Sequence, residues 1–434
     1  MKDQIKKGSF LIEKQKHLQE FNSPKLRYYK TTMFAGQAGR MLGKLRSHEV
    51  ITNIDKILQF GADLGIYDDN ILFDIFLPEL EKSGSIDIYK DSSGNITKIE
   101  ENISSENDIL KIVSEIYERR NPTFEEEASL EILDYCAKLP RVRPELEGHI
   151  TSEGFEKVFE ISLELAKNFQ IIKEYENVPG ISDNVYHTPL YSRENVISIS
   201  NILKKLPEEE KNNIETLLST TKSTEANPLS KINIEQNRLN CYNKVGLIDI
   251  TNVKTISGRS ESYLFTPAIW GPLGSSLTKD EQDHVRALLS CVRFGQMCPT
   301  EVNNVKYHIR SPELYISALI RKGRVGPSTP IGSDYIILER EGIVEIEKSH
   351  FKSNQFNMRL IKEDVAERAR RIISRGRDIS IDSDEEEIRP LAQVGTFRNP
   401  AQNRIRDLPK LKKTGSRSDV LEREMMRLFR REKD

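Results

Sequence analysis

The residues of this chain with the clearest chemical potential are polar side chains suited to holding a nucleic acid. A helix is expected over 231–245, and its solvent side carries Glu235, Gln236, Asn237, Arg238, Asn240, Asn243 and Lys244. An arginine offers guanine a bidentate donor fork, and an asparagine or glutamine can pair with adenine in the major groove. Arg259 lies in the turn Ser257-Gly258-Arg259-Ser260, where it can reach a phosphate or the minor groove. Ser328, Thr329 and Ser333 stand at the start of a helix expected over 330–341, and free N–H groups there favour phosphate. An ordinary solvated helix face would use the same residue types, so that alternative stays open.

Further cations sit near the N-terminus. Arg40, Lys44 and Arg46 follow Tyr28, Tyr29 and Phe34, a mixture that suits backbone contacts on nucleic acid. An arm that docks on its own protein is the other possibility. The run Gly36-Gln37-Ala38-Gly39-Arg40-Met41-Leu42-Gly43-Lys44 looks at first like a phosphate-cradling loop. It fails, because Ala38 stands where the first glycine is required and Leu45 where Ser or Thr must follow the lysine.

Catalytic patterns are missing. The seven histidines are scattered without metal-ligand spacing, and Cys291 and Cys298 suit core packing better than a metal. Glu345-Ile346-Glu347-Lys348 has the acid-x-lysine ending of some nuclease sites, but no partner acid is placed for it. Neither an enzyme nor a cofactor is expected.

These side chains must be positioned by something, and a repeated stretch supplies it. Gly84-Ser85-Ile86-Asp87-Ile88, Gly246-Leu247-Ile248-Asp249-Ile250 and Gly342-Ile343-Val344-Glu345-Ile346 share one pattern. Ahead of each glycine, residues seven, four and one positions back fall on one helix face: Leu77, Leu80, Ser83; Leu239, Tyr242, Val245; Tyr335, Leu338, Glu341. Each glycine then sits where a helix end calls for a left-handed residue. The alternating run after it reads as a strand buried on one face. Helix, glycine stop, strand, turn and strand resemble the second half of a winged helix-turn-helix unit, and the chain resembles the winged-helix superfamily in tandem copies. That resemblance implies duplex DNA binding, with the helix before the glycine in the major groove and the hairpin on the backbone.

Composition sets the surroundings. The 434 residues carry 30% charged side chains with a net charge of -2. The first 46 and last 46 residues are basic, and 68–135 is acidic. Four cysteines without a Cys-x-x-Cys pair fit a reducing cytoplasm, and neither a signal peptide nor a membrane span is expected.

The expected class is mainly α with small β-hairpins (α+β). The parts are a basic N-terminal arm (1–46), a winged-helix unit (47–103) and a helical region holding a possible degenerate copy (104–190). A central unit (191–272) and a C-terminal unit (273–375) follow, then a disordered linker (376–417) and a short basic amphipathic helix (418–434). In the first unit a helix bears Val50, Ile54, Ile57 and Leu58. The next, with Leu72, Phe73, Ile75 and Phe76 among Asp68, Asp69 and Asp74, is too apolar and acidic for DNA. A single helix is expected over 152–167. At the end, Leu421, Met425, Leu428 and Phe429 form a stripe suited to a partner protein.

Two functions fit. One is a double-stranded DNA-binding regulator that reads sequence through the helix before Gly246. The other is a non-catalytic subunit of a larger DNA-processing or defence complex. The expected partners are double-stranded DNA and a protein held by the C-terminal helix; homo-oligomerisation is left open.

Overall fold

A computed structural model describes residues 3–138, 140–178, 181–188, 226–244, 248–255, 260–265, 279–297, 300–302, 305–307, 311–328, 336–349, 355–374 and 394–398. Glu209, Asn212, Asn213, Ile214, Leu217, Ile309, Ile331, Pro400, Arg423, Met426 and Arg427 are described besides. The chain is mainly helical, with small antiparallel sheets.

α1 (Gln4–Leu18) and α2 (Lys30–Leu45) lead into β1 (Val50–Ile51), α3 (Ile54–Asp63) and a π-helical turn (Ile71–Phe76). That turn runs into α4 (Leu77–Lys82), the hairpin β2 (Ile86–Lys90) and β3 (Ile96–Glu101), and α5 (Glu106–Arg119). Of the two readings of the basic segment 1–46, the structure shows the one in which it docks on its own protein. α1 is buried without a break from Gly8 to Leu18 and packs against both α2 and α5, which also pack on each other. A Cβ added to Gly36 would come 2.2 Å from Gln15 Cβ, and one on Gly39 would come 2.6 Å from Ile12 and Val113. The glycine run that imitates a phosphate loop is a helix-packing surface. Val50, expected on a helix, lies in β1.

Next come α6 (Phe124–Lys138), β4 (Arg141–Val142), α7 (Arg143–Ser152), α8 (Phe159–Asn168), β5 (Lys173–Tyr175) and β6 (Val185–His187). The helix expected over 152–167 starts later, as α8 at Phe159, because α7 ends at Ser152 and the chain turns at Gly154 with φ +89°. Then follow β7 (Asn227–Pro228), α9 (Gln236–Lys244), β8 (Asp249–Thr255) and β9 (Ser260–Phe265). α9 starts five residues later than the periodicity predicts, after a 3-10 turn at Leu229–Lys231. The remaining elements are α10 (Lys279–Met297), β10 (Thr300–Val302), β11 (Val305–Tyr307), α11 (Pro312–Lys322) and β12 (Arg324–Ser328). They end with α12 (Ile336–Arg340), β13 (Val344–Lys348), β14 (Phe356–Leu360), α13 (Glu363–Ser374) and β15 (Val394–Arg398).

One sheet order recurs four times: β1-β3-β2, β4-β6-β5, β7-β9-β8 and β12-β14-β13. In each, a short strand ahead of the helical segment returns to pair antiparallel with the last strand of a hairpin. The second copy lies within 104–190, where the glycine signature is lacking. The helix ends explain why. Gly84 N donates to Glu81 O at 2.9 Å and Ser85 N to Leu80 O at 3.3 Å. Gly342 and Ile343 repeat these bonds on Glu339 and Leu338, as Gln170 and Ile171 do on Lys167 and Ala166. This is a Schellman stop with a left-handed residue at its centre. Gly84 (φ +73°), Gly342 (φ +65°) and Gln170 (φ +57°) all occupy that place. Gly246 lies outside the described residues.

The core has three clusters. The largest joins α1, α2 and α5 to the first two sheet-bearing units, from Phe10 to Tyr186. A second joins Val253, Tyr263 and Phe265 to α10 and the last unit. A third sets Val142, Tyr175 and Val185 against Leu239, Tyr242 and Ile250. The tail contributes to both ordering and packing. Val394–Arg398, expected in a disordered linker, forms β15 along β8, with Arg398 opposite Asn252. Main-chain pairing can order a strand that its basic, proline-broken flanks do not advertise. Met426 is fully buried in the third cluster.

Candidate nucleic-acid interface

α9 is held by its apolar side. Leu239, Cys241 and Tyr242 are buried in the third cluster, and Asn243 is buried beside them. Gln236 is exposed on the other side, while Asn237, Arg238 and Asn240 are half-buried. Gln236 Nε2 donates to Asn240 Oδ1 at 3.1 Å, and Asn237 Nδ2 to Glu235 Oε1 at 3.4 Å. Arg238 Nη2 donates to Glu209 Oε1 at 2.6 Å, and that glutamate side chain is 71% exposed. The Arg238 side chain itself is only 21% exposed. Asn243, expected on the solvent side, belongs to the core. In the hairpin that follows α9, Asn252 Nδ2 donates to Ser262 Oγ at 3.1 Å, and Lys254 is exposed.

Several predicted residues cannot be placed. Arg259, Thr329 and Ser333 lie outside the described residues, as do the side chains of Lys244 and Ser328. The same holds for Leu421, Met425, Leu428 and Phe429, although the burial of Met426 assigns part of that stretch to the chain's own core.

Arg40, Lys44 and Arg46 are corrected outright. Arg40 Nη1 donates to Gln15 Oε1 at 3.0 Å and to Gln19 Oε1 at 2.5 Å. Lys44 is buried, donates to the Arg340 carbonyl and lies 3.6 Å from Asp63. Arg46 pairs with Asp364 at 3.0 Å and Glu106 at 3.5 Å. Burial raises the Asp364 carboxyl, but Arg46, together with the Val365 N–H and Lys362, more than offsets this and holds it below the usual range. Lys44 and Arg46, with Lys56 on Glu345 at 3.2 Å and Arg340 on Asp63 at 3.2 Å, form an ionic seam to the last unit, and Arg40 stays on α1. Inside it, Lys362 Nζ donates to Gly43 O at 2.6 Å. They are spent within the fold.

The other helices that precede hairpins differ from α9. α4 and its π-turn expose Asp68, Asp69, Asp74 and Glu81, and α8 exposes Glu160, Ile161 and Glu164. α12 packs against α3 at the seam. α9 differs in carrying Gln236, Asn237 and Asn240, exposed or half-buried, and no exposed carboxylate within its span.

One reactive-looking cluster could not be read from the sequence, since its members are some 100 residues apart. Lys14 Nζ donates to Ser129 Oγ at 2.9 Å, the Tyr29 hydroxyl is 3.0 Å from the same oxygen, and Glu126 accepts from Thr32 N at 2.8 Å. Burial pushes the Lys14 ammonium down to about 7 despite Glu126. A neutral lysine on a serine is a nucleophile arrangement. Here Lys14, Tyr29, Ser129 and Glu126 are all sealed in the core, so the cluster ties α1 to α6. Glu345 and Glu347 are answered by Lys56, Arg324 and Arg359. Among the described residues no group of three or more His, Cys, Asp or Glu side chains is arranged to hold a metal ion, and no helix is long and apolar enough to cross a membrane. Comparison of the chain with protein-family models, with curated proteins and with solved structures finds no match in any of them.

Proposed function

We propose that the chain is a tandem winged-helix protein that binds double-stranded DNA through its third unit, as a sequence-reading regulator. The fold reading is supported by the four sheets in which the first strand pairs with the third, each behind a helical segment. The observation that carries the functional reading is the face of α9. Gln236, Asn237 and Asn240 share one arc of the helix immediately before a hairpin, Gln236 exposed and the two asparagines half-buried, with Arg238 further round it beside Glu209. These residue types can discriminate base edges in the major groove. Arg238 is pre-positioned by Glu209 and exchanges that contact for guanine or phosphate.

A non-catalytic scaffold role in a larger DNA-processing complex is the second reading. It is favoured by α12, whose position in its unit matches that of α9 but which packs against α3. Selection of duplexes from a randomised pool by the full chain separates the two. A DNA reader enriches a sequence, and Arg238→Ala and Asn240→Ala each relax one base position at a cost of about 1–3 kcal/mol. A scaffold enriches none, and the same variants change nothing.

A further inference from the structure

The element before the first hairpin leaves an apolar line uncovered. Tyr67 is 81% exposed, Ile71 46% and Ile75 50%, at successive spacings of four. Ile71 and Ile75 lie about one turn apart on the π-helical segment Ile71–Phe76, and Tyr67 stands in the chain just ahead of the helix. The opposite side is fully used, since Leu72, Phe76, Leu77 and Leu80 are buried in the largest core cluster. Holding the fold therefore does not explain the exposed line. Asp68, Asp69, Asp74 and Glu81 surround it, also exposed, and Lys82 is the exposed cation of the element. Asp68 is fixed at the helix start, accepting from Asn70 N at 2.9 Å.

Grouped apolar side chains rimmed by one sign of charge mark an interaction surface, and the sign selects the occupant. Phosphates are repelled by these carboxylates. A second copy meeting this face by two-fold symmetry would set aspartate against aspartate. We propose that this face docks a basic amphipathic helix of a partner protein. Its apolar side chains at i and i+4 cover Tyr67, Ile71 and Ile75, and its lysines or arginines reach Asp68, Asp69 and Asp74. The surface is distinct from α9, so the proposal does not depend on DNA binding.

The test uses the full chain and three labelled synthetic peptides of equal length. One has a leucine stripe with a lysine and arginine polar face, one the same stripe with a glutamate face, and one the first composition scrambled. Fluorescence anisotropy should show saturable binding of the first peptide, at least tenfold tighter than either control. Ile71→Ser with Ile75→Ser should weaken it at least tenfold while leaving the thermal melt unchanged, because both positions are exposed. Asp69→Lys with Asp74→Lys should reverse the preference toward the glutamate-faced peptide, an outcome that a merely structural role would not produce. Equal binding of the basic and scrambled peptides, or binding indifferent to the serine pair, overturns the proposal. So does a dimer of the chain that the serine pair dissolves, which would make a second copy the occupant.

Discussion

Gly84 and Gly342 share a backbone angle but do not share a neighbourhood. A Cβ on Gly84 meets nothing within 4 Å, whereas one on Gly342 would lie 2.6 Å from the Lys44 carbonyl oxygen. Gly84→Ala should therefore cost about 1 kcal/mol from backbone strain alone. Gly342→Ala should cost clearly more, because α2 must retreat from the last unit; urea unfolding of the two variants compares them directly. The spacing of apolar residues was enough to reveal the left-handed position, but the approach of Lys44 was invisible because it joins segments some 300 residues apart. Two histidines give a pH dependence. Burial, with Lys56 and Lys362 nearby, pushes His48 down to about 3, and burial beside Lys173 does the same to His187. Their folded values lie below the unfolded one, so the unfolded chain binds more protons between pH 6.5 and 3. Stability is then complete above the unfolded value and falls on acidification by about 1.4 kcal/mol per pH unit for each histidine. Urea midpoints measured at pH 7 and pH 5 should show that loss; equal midpoints would contradict it.

At the scale of elements, the second unit repeats the architecture with Gln170 where the first and last units have a left-handed glycine. Gln170 bears the left-handed strain without relief, so Gln170→Gly should stabilise the protein by about 1 kcal/mol, read as a higher urea midpoint. This residue is also why a glycine-centred pattern found the first and last copies and passed over the second. Helix limits were most legible where a cap or proline marks them. Ser105 caps α5 by accepting from Asp108 N, and Ser311, followed by Pro312, caps α11 by accepting from Leu314 N. They were least legible where a glycine interrupts periodicity, as at Gly154. Strand β15 was hidden because its order comes from main-chain bonds to β8, which hydropathy does not register. A chain ending before residue 394 should lose β15 and the Met426 plug together. Hydrogen exchange should then show β8 less protected, with α1 unchanged.

Across the whole molecule, charge that looked like an invitation to an outside partner is answered from within. The basic N-terminal segment and the acidic 68–135 region meet each other: Lys6 pairs with Asp134 at 2.8 Å, Arg46 with Glu106, and Lys7 with Glu118. A linear charge count cannot tell such self-complementarity from a nucleic-acid arm, which is why Arg40, Lys44 and Arg46 were misassigned. With those cations internal, the DNA reading stands on α9 and its hairpin. The most direct measurement is hydrogen exchange on the full chain at about 50 mM salt, with and without a pool of duplex DNA. The account predicts protection on DNA addition concentrated in 236–244 and the hairpin that follows. Protection confined to other units, or no duplex binding at that salt, would contradict it.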